Sequence, residues 1–465
     1  MAGVRVRPAI GAAAIVAIAF AGMSRPAGAD TLLGALAQAY HGNPQLNSQR
    51  AIVRATDEGV PQALSGFRPR FGATADVGSQ YNDVTTITGS GPVRSQGVTT
   101  PRGVGVTASQ TLFNGFQTAN RTRTAESQVF AARETLRVIE QTVLLDGATA
   151  YMNVLRDAAI LEVQRSNVRV LGETLRQTRD RFNVGEVTRT DVAQSQAQLA
   201  AGQSQMLGAE SNLTTSRATY RRVIGSEPGN LAPGMPVDRL SPRTLAGAID
   251  AGIASNPSVT AAMYGVDVAQ LQVKIAEGVL YPVLTLEGSV QKRYDVSLAI
   301  TEQFTTAVVG RLTIPLYQGG TEYSAIRQSK ETLGQRRLDL ATTRDQARAT
   351  VVQAWGQHEA AKAQIQAAQE QVTASEVALN GVREEARVGQ RTTLDVLNAQ
   401  QALVNARVAL VTAQRDRVVA SYTLLAAVGR LSPQLLGLGI PVYDPMVHYQ
   451  QIRDAWGGVR TPDGR

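Results

Sequence analysis

The chain is written twice. Phe113-Asn114-Gly115 recurs 204 residues later as Tyr317-Gln318-Gly319. Val184-Gly185 recurs as Val388-Gly389, Asp191-Val192 as Asp395-Val396 and Gly225 as Gly429, all at the same offset. Upstream, Asn43-Pro44 recurs as Asn256-Pro257 at an offset of 213, so the first copy carries nine extra residues between Pro69 and Phe113. Two copies of about 200 residues are far longer than solenoid repeats of ~20–50. They read as two halves of one pseudo-symmetric architecture.

The repeat sets the domain order. Residues 1–29 read as an export leader: Arg5 and Arg7, a short apolar run from Ile10 to Ala21, then the small-residue cleavage site Ala27-Gly28-Ala29. The first structural repeat is 30–225, the linker 226–243, the second repeat 244–430 and the tail 431–465. The linker is marked by Pro228, Pro233, Pro236 and Pro242.

Each copy opens with short helices. Leu32–Tyr40 precedes a helix from Pro44 to about Gly66; Leu245–Ala254 precedes one from Pro257 to about Gly278, with Pro suited to each first turn. Period-two alternation follows, at about 70–112 and 283–314. Phe71, Ala73, Ala75 and Val77 face away from Thr74 and Asp76, and Leu284, Leu286 and Val290 face away from Thr285, Glu287 and Ser289. That pattern marks strands with one apolar and one wet face. Each copy thus offers one β-hairpin. The extra Gly-, Ser- and Thr-rich residues, around Thr85–Arg102, read as an exposed loop tip near Ser95.

Beyond each hairpin a proline-free helical pattern runs from about Gln117 to Asn183 and from about Glu322 to Arg387. At ~1.5 Å per residue each is about 100 Å long. Helices return over 190–225 and to about 430, completing long helical hairpins at about 117–225 and 322–430. Val192, Leu199, Met206 and Leu213 recur every seven residues, with Ser195, Gly202, Ala209 and Ser216 between them. Leu161, Val168, Leu175 and Phe182 form a matching stripe on the outgoing helix. Large against small residues at heptad spacing permits close knobs-into-holes approach. The returning helix is about half as long as its partner. The short Pro44 helix, stacked end to end with it, makes up the difference.

The turn between the long helices is the sharpest local motif. Val184, Gly185, Thr188 and Asp191 recur as Val388, Gly389, Thr392 and Asp395. Glycine ends one helix, threonine caps the next, and Asp three residues on completes a capping box. The aspartates read either as caps alone or as part of a contact set that holds an open tube end shut, with Arg391 the basic member.

Other classes of function find little support. With no cysteine there is neither a disulfide nor an N-terminal lipid anchor. The formal charge of +8 includes three arginines of the leader and is spread too thinly to indicate nucleic-acid binding. His41, His358 and His448 have no metal-ligand spacing, and no nucleophile, cofactor or phosphate motif is present, so no enzyme is expected. Glu384-Glu385, adjacent on a helix, do not face each other and read as a solvated face. No stretch after the leader is long and apolar enough for a transmembrane helix, so membrane entry requires a closed β-barrel.

The doubled Asn-Pro start, the doubled hairpin, Leu316-Tyr317-Gln318-Gly319-Gly320 and the two glycine turns together resemble the TolC-like outer-membrane efflux and type I secretion family, over essentially the whole mature chain. The resemblance implies a mainly α fold with a membrane β part. A homotrimer would build one 12-stranded barrel and an α-helical tunnel across the periplasm of a Gram-negative bacterium. It implies outer-membrane lipid, a periplasmic adaptor (membrane fusion) protein and an inner-membrane transporter of ABC or RND type as partners. It also implies that Asp395, Arg391, Asp191, Thr190 and Asn398 line the periplasmic entrance. Asn398 stands where a second acid is usual, and Ala386 where a bracing tyrosine is common. The tail, including Tyr443–Tyr449 and Trp456, resembles that of α-proteobacterial members and is expected on the outside of the helices. The trimer has independent support: four strands cannot close a barrel, for which about eight are needed. The alternative from another class is an exported structural coiled coil, a stalk or adhesin. It accounts for the heptads and leader but not for four amphipathic strands placed symmetrically before the long helices.

Overall fold

Two asparagines set the layout. The computed structural model describes residues 30–462 and 464; the leader at 1–29 lies outside the described residues. Helices α1 (Leu32–Gly42), α2 (Pro44–Asp57) and α3 (Gly59–Leu64) lead into strands β1 (Arg70–Val77), β2 (Gln80–Thr88), β3 (Gly91–Thr99) and β4 (Arg102–Asn114). Helices α4 (Gln117–Asn183) and α5 (Arg189–Ile224) complete the first copy. The second gives α6 (Leu245–Ser255), α7 (Pro257–Gly278), β5 (Val283–Ser297), β6 (Ile300–Thr313), α8 (Thr321–Arg387) and α9 (Thr393–Ala427), and α10 (Pro445–Ile452) lies in the tail.

Asn43 caps α2: its Oδ1 accepts from the amides of Gln45 and Leu46 at 2.9 and 3.3 Å. Its Nδ2 donates to the Val223 carbonyl at the end of α5, 3.1 Å away. Asn256 caps α7 through the Ser258 amide and donates to the Ala427 carbonyl at the end of α9 at 3.4 Å. One side chain thus satisfies an orphan donor of one helix and an orphan acceptor of another. The result is end-to-end stacking. In each copy the returning helix and the short one make a single interrupted stave beside the unbroken long helix.

The second interrupted stave lies between α4 and α8. Its α7 part touches both, with Phe130 against Tyr264 and Lys330 3.4 Å from Glu277. Its α9 part touches both farther on, with Arg415 on Asn153 at 2.9 Å and Arg407 on Glu376 at 2.7 Å. Small residues decide how closely the returning helices approach. Ser195, Gly202 and Ala209 of α5 are buried, whereas Val192, Leu199 and Met206 are only half-buried. A β-carbon on Gly202 would come within 2.8 Å of Leu171. Phe182, the last residue of the α4 stripe, is exposed.

The main core forms a belt where α1, α4, α5 and the end of α9 meet. Tyr40, Tyr151, Tyr220 and Tyr422 are fully buried there among Leu36, Leu144 and Leu425. The inter-copy linker is clasped to the second copy. Asp238 accepts from Arg417 and lies 2.9 Å from the buried His358. The tail helix α10 packs on α2: His448 Nδ1 sits 3.0 Å from the buried Asp57, and Arg68 stacks on Trp456 at 4.7 Å.

Two sequence expectations are corrected. The helix expected from Pro44 to Gly66 breaks at Glu58. Pro61 lacks the N–H that would bond Asp57, and Gly59 weakens the same turn. The segment expected as a loop tip around Thr85–Arg102 is instead a paired ribbon, β2 against β3, with Ser95 opposite Val84 and Arg94 bound to Asp83 at 2.5 Å. Its turn is Gly89–Ser90. A tag inserted between Gly89 and Ser90 is therefore expected to leave surface-accessible, assembled protein. The same tag at Ser95 interrupts the ladder and lowers the assembled yield; immunolabelling of intact cells and trimer gels check both.

Candidate functional site

The four-stranded sheet runs β1-β4-β5-β6, all antiparallel. Register makes its two faces explicit. Ala75, Val104, Lys292 and Phe304 stand in one row across the strands, Ala73, Val106, Val290 and Thr306 in the next, and Phe71, Ala108, Gly288 and Val308 in a third. One pleat over, on the other face, the rows read Asp76, Gly103, Arg293, Gln303; then Thr74, Gly105, Gln291, Thr305; then Gly72, Thr107, Ser289, Ala307. One face is apolar and topped by a row of Val77, Arg102, Tyr294 and Glu302, where charge and an aromatic ring mark its upper edge; the other is polar.

Water is a poor solvent for the first face. Phe71 and Val308 are each 75% exposed, and no element among the described residues covers them. From Leu284 to Tyr294 the strand climbs about 25 Å at ~3.3 Å per residue and ~40° tilt, the height of a membrane barrel's apolar band. Among the described residues the outer sides of the edge strands β1 and β6 have no hydrogen-bonded strand beside them. Open edges in a membrane leave backbone groups unsatisfied, so the sheet must close on other copies. Among the described residues no helix is long and apolar enough to cross a membrane.

The second region lies at the opposite end of the long helices. Both turns are built alike. Gly185 (φ 82°) and Gly389 (φ 81°) adopt the left-handed conformation that ends α4 and α8. Val184 and Val388, beside them, are exposed. Thr188 and Thr392 then cap α5 and α9 in complete capping boxes with Asp191 and Asp395. Asp395 Oδ2 accepts from the Thr392 amide at 3.0 Å and from its hydroxyl at 2.9 Å. Asp191 makes the equivalent bonds at 2.9 and 2.7 Å. These bonds favour the carboxylate. The backbone and hydroxyl of Thr392, helped by Arg391, hold Asp395 below the usual range, and the hydroxyl and backbone of Thr188, helped by Arg181, do so for Asp191. Thr190 and Asn398 are exposed beside their aspartates.

Arg391 has a partner within its own turn. No hydrogen bond or ion pair joins it to Asp191; within the chain its Nε donates to Glu385 at 2.8 Å. Glu384 and Glu385 are both exposed, as a solvated face requires, and each carries a surface ion pair, Glu384 with Arg387 at 3.3 Å and Glu385 with Arg391. The first turn carries the mirror arrangement, Arg181 on Glu186 at 3.0 Å. The duplication held part of the signal: position 181 is Arg and its counterpart 385 is Glu, while their partners Glu186 and Arg391 stand at neighbouring, non-equivalent positions opposite Gln390 and Val187, so each turn has its own local ion pair of reversed polarity. The two hairpins are pinned together above the turns. Gln198 donates to Gln401 at 3.1 Å and Gln400 to Asn167 at 3.3 Å across the two hairpins, while Arg383 of the second hairpin donates to Gln400 at 2.9 Å and holds it in place. These pins were not read in the sequence, because a glutamine on a helix face looks solvated until the neighbouring helix is known. Among the described residues no group of three or more His, Cys, Asp or Glu is placed to hold a metal ion.

Comparison with known proteins covers both copies of the repeat. The sequence model of a family described as outer membrane efflux protein matches residues 35–226 and 248–430, the two copies in turn. The outer membrane efflux protein BepC of Brucella suis is 41% identical over 437 residues, covering 94% of this chain and 93% of the relative. The outer membrane protein TolC of Escherichia coli is 25% identical, covering 93% and 89%. The fold matches the Campylobacter jejuni CmeC outer membrane channel with a TM-score of 0.77 at 15% identity, over 91% of this chain and 89% of that one.

Proposed function

This chain belongs to the outer membrane efflux protein family, and we propose that its two functional regions divide the work of an export channel between a fixed exit and a closable entrance. It is an outer-membrane channel of a tripartite efflux pump or type I secretion system in a Gram-negative bacterium, and it extends into the periplasm. Three copies contribute β1, β4, β5 and β6 each to one 12-stranded barrel. Their apolar faces meet lipid and their polar faces line the bore. The staves of three copies continue that bore as a helical tunnel. The observation that carries this reading is the open sheet, apolar on one face, polar on the other and unpaired at both edges, set at one end of helices about 100 Å long.

The conduit is passive. Energy and substrate choice come from an inner-membrane transporter of ABC or RND type, joined through a periplasmic adaptor. The turns at the far end of the staves form the entrance. There, Asp395 from three copies, with Asp191, Thr190 and Asn398 close by, focuses negative potential in a narrow aperture. Arg391 has two acceptors to choose between. In an isolated chain it folds back on Glu385; in the closed trimer it reaches the neighbouring turn, and opening returns it to Glu385.

The test is fractionation followed by planar-bilayer recording. Heat-modifiable trimers in outer-membrane fractions that give cation-selective channels support the reading, and a soluble periplasmic protein contradicts it. Charge at the entrance is expected to persist in mild acid. The carboxylates' pKa values are depressed below the ordinary ~3.9, so their ionised form is held above that value and lost only as pH falls through the still lower folded values. Cation selectivity, read as reversal potential in a salt gradient, is therefore expected to be the same at pH 7 and pH 5. Asp395→Ala is expected to reduce it at both.

A further inference from the structure

The polar face of the sheet contains a shelf. In β4 the residues of the two outermost rows are Gly103 and Gly105, each between a β1 residue and a long β5 side chain. A glycine inside a strand weakens it and marks a place where something approaches the backbone closely. A β-carbon on Gly103 would lie 3.0 Å from Arg293 Cγ and 3.3 Å from its Nε. One on Gly105 would lie 3.1 Å from Gln291 Cγ and 3.4 Å from Thr74 Oγ1. Arg293 thus lies flat across the bare β4 backbone. Its guanidinium meets Asp76 on the far side at 2.8 Å, and its Nε is shut off from solvent without a hydrogen-bond partner. In the three outer rows of this face, Asp76 and Arg293 are the only charged residues.

We propose that Asp76 holds Arg293 down on the Gly103 shelf, and that this pair determines the charge selectivity of the channel's exit by keeping the outer bore wide and electrically neutral. The inference rests on the barrel reading above, which turns the polar face inward. Threefold repetition places three such pairs around the bore with no net charge, so cationic, anionic and neutral cargo leave on equal terms. An exposed ion pair is weak by itself. The shelf makes it effective, because no β4 side chain stands between the partners and the arginine has a groove to lie in. Without Asp76 three guanidinium groups of one sign are released toward the axis. Such a ring is a binding site for a compact polyanion.

Titration of purified trimers with inorganic tripolyphosphate at low ionic strength tests this. The parent protein is expected to show only weak, dispersed binding. Asp76→Asn, a nearly isosteric change at an exposed position, is expected to create one site per trimer at least about tenfold tighter. Adding Arg293→Gln to Asp76→Asn is expected to abolish that site while the heat-modifiable trimer remains. The proposal is overturned if Asp76→Asn binds tripolyphosphate no better than the parent, or if the gained binding survives Arg293→Gln. Failure of the parent to form trimeric channels in bilayers would instead overturn the barrel reading.

Discussion

Arg391→Ser is expected to raise the resting conductance of the channel several-fold in planar bilayers, the largest functional effect of any single exposed substitution. The change removes three threefold-related cations from the aperture at once and leaves the carboxylates of Asp395 uncompensated. The local pair with Glu385 supplies a control that separates two roles for the arginine. If Arg391 works only inside its own turn, Glu385→Gln should loosen that turn and behave like Arg391→Ser. If it works between copies, Glu385→Gln removes a competing acceptor and frees the arginine for its neighbour. Resting conductance then falls or stays level. The account predicts opposite or unequal effects. Equal increases would reduce Arg391 to a brace within a capped hairpin, and no change in either variant would remove it from the gate.

Gly115→Val is expected to abolish assembly. Gly115 joins β4 to α4 and holds φ at 62°, a conformation that a β-branched residue resists. A β-carbon there would sit 2.3 Å from the Gly278 carbonyl oxygen and 2.7 Å from Tyr281 Cβ. In turn, one on Gly278 would sit 2.8 Å from the Gly115 carbonyl oxygen. Backbone thus meets backbone where the first copy's strand-to-helix joint locks against the end of α7. Neither side can yield without moving the barrel relative to the tunnel. Strain and clash together place the cost at about 4 kcal/mol or more. The heat-modifiable trimer should fall below detection on gels. Gly334→Ala on α8, where nothing lies within 4 Å of the added atom, is the matched control and should assemble normally. Trimer yield of Gly115→Val close to that of the control would contradict the locked joint.

The parts legible in the sequence share a physical cause: each is encoded locally or by repetition. The bounds of α4 could be read because no proline interrupts it, and Gly185 ends it as Thr188 starts the next helix. Faces of β1 and β5 were legible because period two is the geometry of a strand. The capping boxes needed only four residues each. The parts that escaped depend on what lies beside them. Ser95 sits in polar, loop-like composition, yet β2 and β3 pair because nine residues on each side can form a ladder, continued from β1 and β4 by the Gly78 amide on the Pro101 carbonyl at 2.8 Å. The break at Glu58 was obscured by an otherwise continuous helical pattern, although Pro61 carried the signal. The second role of Asn43 and Asn256, gripping the carbonyls of Val223 and Ala427, requires knowing which helix ends there. Arg391 reads as an entrance residue by resemblance, but its partner Glu385 carries no local signal, because adjacent acids on a helix do not face each other. The glycine shelf was invisible until register aligned Asp76, Gly103 and Arg293 in one row.

The central claim is that three copies close one barrel from four strands each and continue it as one tunnel. Cryo-electron microscopy of the protein purified from outer membranes into lipid nanodiscs measures this directly. The account predicts threefold particles with a single 12-stranded barrel. In it, β1 of each copy pairs with β6 of the next, Phe71 and Val308 face lipid, and Asp76 and Arg293 face the bore. A monomeric particle, or a trimer in which the β1-β4-β5-β6 sheet packs into a soluble core, would contradict it.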